Sequence, residues 1–150
     1  RPGFTSNLDH WTRVSIADMI FAGVFERYPK LQVGAIEIEL AWVPYFLDRI
    51  DYTYVQRPRE RTPYRFKNDM APSDFFHRNV FLSFQQDFNG VKERDIIGVD
   101  NLLWGADYPH PESTWPRSQE ILAEILVDCT EDEKAKIVGG NAARLYRLDD

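Results

Sequence analysis

The sequence predicts an α/β fold built on a parallel sheet, and three observations predict it. Segments of helical period alternate with short apolar runs in the order helix, strand, helix, strand, helix, strand, helix. The first of those runs shows little alternation, as expected of a strand buried on both faces. Proline, glycine and capping residues punctuate the segment ends. Alternating strands and helices join by right-handed crossovers, which lays the strands parallel with helices over them. Three strands are too few to close a barrel of eight. The 150 residues are therefore expected to be a piece of a (β/α) barrel, or to cover their strand edges with another copy or fragment. A small open three-layer sheet is the alternative.

Each element has its own signal. Val14, Ala17, Phe21, Val24, Phe25 and Tyr28 follow helical spacing, Ser15 with Asp18 offers a capping box, and Pro29 ends the segment. Leu31 to Ile38 is the first β-rich run and terminates in the acidic residues Glu37 and Glu39. Trp42-Val43-Pro44 opens a helix with proline in its tolerated first turn and with Val43, Leu47, Ile50 and Tyr54 on one face. A stretch dense in Arg, Pro and Tyr follows. Proline keeps it from regular helix and charge keeps it from burial, so it reads as a long loop or lid at about 54–71 within one domain over residues 1–150.

A short helix around Ser73 to His77 leads into an apolar strand, Val80 to Phe84. Gly90 to Ile97 is the next helix, Gly98 to Asn101 its turn, and Leu102-Leu103-Trp104 the third strand. Pro116 starts a helix whose Ile121, Leu122, Ile125 and Leu126 face a core. Thr130 and Glu133 make a second capping box, Gly139-Gly140 stop that helix, and Asn141 to Tyr146 forms the last.

A net charge of −6 gives no basic face for phosphates or anionic lipid, so neither nucleic acid nor membrane is an expected partner. No apolar run approaches the roughly 20 residues of a membrane-spanning helix, and no basic-then-apolar leader opens the chain. A single cysteine, Cys129, leaves no intrachain disulfide and no cysteine zinc cluster, which suits a cytoplasmic location. The chain opens Arg1-Pro2-Gly3 without methionine and is expected to be cut from something longer.

In parallel α/β folds, ligands meet the carboxyl ends of the strands. That rule selects Glu37 and Glu39, the stretch Ser83 to Asp87, and Asp107 with His110 and Glu112. In Leu102 to His110 an apolar strand delivers a carboxylate to the mouth of the sheet, and small Gly105 and Ala106 leave room for a ligand. A carboxylate there can ligate a divalent metal and take a proton from its bound water; equally, Asp107 can cap the turn before Pro109. His110 is a candidate acid, base or substrate contact, or a solvated loop histidine. Glu37 is a candidate substrate contact or the partner of a loop arginine. His10 and His77 read as surface or helix-end residues. The arginines between Arg57 and Arg65 can clamp a carboxylate or form a subunit contact, and their aromatic neighbours favour a contact.

Four segments, in order, carry a family resemblance: Phe25 to Leu31, Ile36-Glu37 to Trp42-Val43-Pro44-Tyr45, Leu103 to His110, and Ile137 to Tyr146. They resemble the amidohydrolase-related family, in the branch similar to aminocarboxymuconate semialdehyde decarboxylase. The resemblance implies the carboxy-terminal portion, about strands six to eight with their helices, of a (β/α)8 TIM barrel. It also implies a divalent metal, zinc being the expected ion, that serves hydrolysis or non-oxidative decarboxylation of a small organic acid or carbonyl compound. Asp107 falls on the family's last-strand aspartate, a metal ligand and proton acceptor, and His110 on a residue with a substrate role. Glu37 falls where many members carry histidine followed by glycines and others carry glutamate. The family's other histidine ligands fall upstream of Arg1 by this alignment. The chain is accordingly expected to be inactive alone and to act as a homo-oligomer or with the missing half of the barrel. A non-catalytic interaction or oligomerisation domain derived from such a barrel is the alternative.

Overall fold

The computed structural model describes residues 2–56 and 65–148. The chain divides into two compact units, Arg1–Val33 with Trp42–Val80, and Gly34–Ala41 with Phe81–Asp150.

The first unit is helical. A single turn, α1 (Pro2–Thr5), opens the unit, and α2 (Asp9–Phe21) begins well before Val14. Asp9 explains the early start: it sits in the first turn, where the helix dipole favours a negative charge, and pairs with Arg13 one turn on at 2.7 Å. Ser15 and Asp18 therefore lie inside the helix, and the expected capping box at these residues does not form. The helical run also does not continue unbroken to Tyr28. Gly23 adopts left-handed backbone (φ 69°), which separates α2 from α3 (Val24–Arg27).

Beyond Pro29, buried Asn79 donates through Nδ2 to the carbonyls of Pro29 and Leu31 at 3.1 and 2.6 Å, satisfying backbone groups that no strand pairs. α4 (Val43–Gln56) buries Val43, Phe46, Leu47 and Ile50, and α5 (Pro72–Asn79) buries Phe75 and Phe76. Asp51 on α4 accepts from the Ser73 N–H and hydroxyl at 2.9 and 2.7 Å, joining the two helices. Of the expected loop at about 54–71, the first residues complete α4, residues 65–71 are irregular, and 57–64 lie outside the described residues. Phe66 stacks on Tyr54 at 4.7 Å and meets Phe75 at 4.5 Å, so the far end of that stretch is packed by its aromatics.

The second unit carries the sheet, in the order β1-β2-β3, with β1 at Val33–Ala35, β2 at Val80–Phe84 and β3 at Leu102–Trp104. β2 and β3 run parallel, with Leu82 opposite Leu102 and Phe84 opposite Trp104. β1 is only three residues long, against the eight expected from Leu31 to Ile38, and its burial alternates where a two-sided core strand was expected. The cause lies just past Ala35: Glu37 and Glu39 hold left-handed backbone (φ 60° and 58°), which no strand accommodates.

Gly90 to Ile97 is two short helices rather than one, α6 (Phe88–Lys92) and α7 (Arg94–Ile97), hinged at Glu93. α8 (Ser118–Ile125) buries Ile121, Leu122 and Ile125, and Leu126 follows them into the core. The Thr130–Glu133 capping box forms at α9 (Glu131–Ala135). Gly139-Gly140 do not stop the helix, however. A π turn over Lys136–Gly140 carries the chain directly into α10 (Asn141–Tyr146). Buried Asn141 makes that continuation specific by donating to the Val99 and Leu102 carbonyls at 2.8 and 2.9 Å, which fastens the last helix to the start of β3.

Candidate active site

The segment after β1 is a tight acidic loop whose groups are almost all committed. The Glu37 N–H donates to the Ser83 hydroxyl on β2 at 3.0 Å. The Glu39 carboxylate accepts from the backbone N–H of Gln85 and of Gln86 at 3.2 and 3.4 Å. Burial pushes the Glu39 carboxyl above its ordinary value and the charge of Asp87 adds to this, while the two backbone hydrogen bonds oppose it. Asp87 accepts from Leu40, Ala41 and Gly90 N–H at 2.7, 2.6 and 2.7 Å, so one side chain both caps α6 and ties down the loop after β1. Gly90 is required there, because an added Cβ would lie 2.4 Å from Leu40 Cβ and 2.5 Å from Asp87 Oδ2.

The segment after β3 is built differently. Gly105 donates to the Phe84 carbonyl at 3.1 Å and extends the sheet contact by one residue, and a Cβ there would meet nothing within 4 Å. Asp107 then turns into left-handed backbone (φ 53°). Its carbonyl accepts from the His110 N–H at 2.8 Å, and its Oδ2 lies 3.0 Å from His110 Nδ1. The carboxylate is partly sheltered, with 22% of the side chain exposed, whereas the imidazole is 58% exposed. Ser113 Oγ and the Thr114 N–H both donate to the Ala106 carbonyl, at 2.7 and 3.1 Å, which closes the loop behind the turn. The Tyr108–Pro109 and Trp115–Pro116 peptides are both cis, and the Tyr108 and Trp115 rings meet edge-on at 6.1 Å.

The structure thus brings Asp107 and His110 together as a carboxylate–imidazole pair at the carboxyl end of β3. Such a pair can hold and pass a proton, since the carboxylate fixes the ring through Nδ1 and leaves Nε2 toward a ligand. Glu37 stands exposed past the end of β1, and among the described residues its carboxylate has no ion-pair partner. Of the loop arginines expected as alternative partners, Arg57, Arg59 and Arg61 lie outside the described residues, and Arg65 donates to the Tyr54 carbonyl. His10 is exposed near the start of α2 beside Trp11, and His77 lies in α5 against Phe76.

The anchoring roles of Glu39 and Asp87 were not assigned from sequence. Asp87 had a usable signal, an aspartate three residues before a glycine at a helix start, which is N-cap spacing. Among the described residues no three histidine, cysteine, aspartate or glutamate side chains come together to hold a metal ion. Nor is any described helix long and apolar enough to cross a membrane.

Comparison with known proteins places this geometry in context. A relative, 2-amino-3-carboxymuconate-6-semialdehyde decarboxylase of Dictyostelium discoideum, is 28% identical over 139 residues, which are 92% of this chain and 37% of the relative. The crystal structure of 5-carboxyvanillate decarboxylase from Sphingomonas paucimobilis matches with a TM-score of 0.70 and 26% identity over 87% of this chain and 38% of that one. Dihydroxybenzoic acid decarboxylase from Polaromonas sp. JS666, solved with bound manganese and the inhibitor 2-nitroresorcinol, shares the fold with a TM-score of 0.71 at 22% identity, over 93% of this chain and 40% of that one. The chain therefore spans less than half the length of these relatives. Its α/β architecture with parallel strands is similar to that of the amidohydrolase barrel decarboxylases. The amidohydrolase family pattern matches residues 10–148, and with four ordered motifs, a parallel sheet and a carboxylate at the end of β3, the chain belongs to the amidohydrolase family.

Proposed function

We propose that the chain is the carboxy-terminal portion, about strands six to eight, of a (β/α)8 barrel decarboxylase acting on a small aromatic or unsaturated carboxylic acid, and that Asp107 carries its proton chemistry. The observation that carries this reading is the Asp107 turn: a strained left-handed aspartate three residues past the end of β3, its carboxylate partly sheltered and 3.0 Å from an exposed imidazole. Backbone strain of this kind persists where the surroundings impose it, and it clusters at functional sites. Decarboxylation is favoured over hydrolysis because the compared relatives with assigned activities are decarboxylases of carboxylated aromatic or muconate compounds.

In such a reaction the bond to the carboxyl carbon breaks, carbon dioxide leaves, and the electron pair left on the substrate carbon takes up a proton. The Asp107–His110 pair is positioned to hold and deliver that proton, with His110, the more exposed of the two, toward substrate. Glu37, exposed past β1, is the candidate for orienting a substrate hydroxyl.

A divalent metal fits this site in kind but not in number. Asp107 is a suitable oxygen donor, yet the described residues gather no set of three ligands, and a catalytic metal site of this type usually takes about three from protein. The remaining donors are proposed to come from polypeptide outside the described residues, and the 150-residue chain alone to be inactive. Manganese, the ion held by the Polaromonas relative, stands beside zinc as the candidate ion. Such an ion would supply charge stabilisation to substrate oxygens.

Asp107→Asn in the whole protein tests the reading. The amide keeps the shape and loses the proton acceptor, so turnover of an aromatic carboxylic acid is expected to fall by at least about a hundredfold. Turnover equal to the parent would sink the assignment. Self-association is the proposed use of the exposed aromatics of the first unit, Trp11, Tyr45 and Tyr52 among them. A sedimentation measurement showing only monomer would remove it.

A further inference from the structure

We infer that Glu39 is a positioning residue for Asp107: its carboxylate fixes the loop after β2, and that loop in turn fixes the end of β3. The inference rests on the reading of Asp107 as the proton-handling group. The path consists of hydrogen bonds between neighbouring segments of the second unit, followed by two residues of chain from Gly105 to Asp107.

The path begins at the left-handed backbone of Glu39 (φ 58°), which directs a glutamate side chain back toward the sheet. Its two oxygens take one backbone N–H each, from Gln85 at 3.2 Å and Gln86 at 3.4 Å. Those amides follow directly on the last residue of β2, where the strand ladder no longer supplies acceptors. With its N–H held, Gln85 turns its carbonyl to the indole Nε1–H of Trp104, which donates at 3.1 Å. Trp104 is the last residue of β3, and the next residue, Gly105, donates to the Phe84 carbonyl at 3.1 Å. The end of β3 is thereby tied through the Trp104 indole to the loop that Glu39 holds, and through the Gly105 N–H to the last residue of β2. Two residues later the chain enters the Asp107 turn.

A carboxylate is the group this position calls for. It presents two acceptors to two adjacent donors, whereas glutamine presents one oxygen and sets an NH2 group against the second N–H. Burial opposes the charge on Glu39, and the two amide hydrogen bonds offset that opposition only in part, which leaves the carboxyl above its ordinary value. Glu39 also differs from Asp87 in what it reaches. Asp87 binds Leu40, Ala41 and Gly90, all within the loop after β1 and the start of α6, and has no link to Trp104. The two anchors can therefore be separated experimentally.

The test is made on the whole protein by NMR, comparing Glu39→Ala, Glu39→Gln, Asp87→Asn and Asp107→Asn. In Glu39→Ala, hydrogen exchange at the Gln85 and Gln86 amides is expected to rise about tenfold or more, the equivalent of one lost hydrogen bond. The Trp104 indole N–H and the backbone resonances of Asp107 to His110 should shift with it. Glu39→Gln should recover part of each change because it keeps one acceptor. Asp87→Asn should perturb Leu40 and Ala41 and leave the Trp104 indole in place.

The inference is overturned if Glu39→Ala leaves the Trp104 and Asp107 resonances unmoved, or if Asp87→Asn moves them equally. Should Glu39→Ala fail to fold, Glu39→Gln decides by the same signals. The Asp107→Asn chain should retain the Trp104 indole signal, because the path ends at Asp107 and does not run through it. Failure of the catalytic reading would appear separately, as turnover retained by Asp107→Asn in the whole protein with these resonances behaving as described.

Discussion

The loops after β1 and after β3 both set acidic residues in left-handed backbone beside the end of a strand, yet they use them in opposite ways. Around the loop after β1, Glu39 and, from the segment after β2, Asp87 spend their oxygens on five backbone N–H groups, from Leu40, Ala41, Gln85, Gln86 and Gly90. After β3, the Asp107 carboxylate has the His110 imidazole beside it, and the loop is closed instead through the Ala106 carbonyl by Ser113 and Thr114. The first arrangement holds shape and the second leaves a carboxylate available. An acidic residue at a strand end therefore signals chemistry only once its oxygens have been accounted for.

The largest test of this contrast sets Asp87→Ala against Asp107→Ala in the same chain. Removing Asp87 leaves three backbone N–H groups without their acceptor, two from the loop after β1 and one at the start of α6. With about 1 kcal/mol for each hydrogen bond lost, a destabilisation of about 3 kcal/mol is expected by chemical denaturation. Removing Asp107 leaves no backbone donor unsatisfied and should cost less than about 1 kcal/mol. Equal losses would erase the distinction between the two loops.

Gly90→Ala sharpens the same comparison from the packing side. The new Cβ would lie 2.4 Å from Leu40 Cβ, a buried residue with little freedom to yield, and 2.5 Å from the Asp87 carboxylate it would dislodge. An overpacking cost of about 1–3 kcal/mol is expected. Gly105→Ala, facing open space, should change the thermal midpoint far less. A Gly105 variant as damaging as the Gly90 variant would show that the β3 loop is as tightly built as its neighbour.

What the sequence made legible follows the same division between strong local signals and long-range ones. β2 and β3 could be bounded to the residue because each is an apolar run stopped by polar or glycine residues, and Asp107 followed from its place after β3. α4 was announced by Pro44 in its first turn and α9 by the Thr130–Glu133 pair. β1 was overread because its apolar residues continue to Ile38, while the left-handed Glu37 and Glu39 that end it are a conformation glutamate seldom adopts. Gly139-Gly140 were overread as a stop because the hydrogen bonds that hold the helix together there come from Asn141 to carbonyls some forty residues away. The Asp107–His110 pair was legible as two residues three apart, but the anchoring carboxylates beside it were not, since their partners lie about 46 residues distant in sequence.

A third kind of acidic residue, remote from the strand ends, gives the smallest and most pH-dependent effect. Glu133 pairs with Arg94 Nε at 2.9 Å and caps α9 through the Thr130 N–H, and these contacts, the Arg94 hydrogen bond first, hold its carboxyl down at about 2 against an ordinary 4.5. The folded chain thus keeps this charge to lower pH than the unfolded chain. Its contribution is fully present above about pH 4.5 and drains away as pH falls toward 2. Glu39 has the opposite sign: its raised carboxyl takes up a proton more readily in the folded state, so its contribution is present at low pH and lost as pH rises through its folded value. Glu133→Gln should therefore flatten the acid limb of the stability curve, by an amount within the ~0–1 kcal/mol of accessible ion pairs. Glu39→Gln should instead steepen the net loss of stability on acidification, because the opposing term is gone. Urea melts at pH 2.5, 4.5 and 7 read both slopes. If the two variants changed the acid limb in the same direction, burial at Glu39 would not outweigh its amide hydrogen bonds, and its carboxylate would be an anchor of the same electrostatic kind as Glu133.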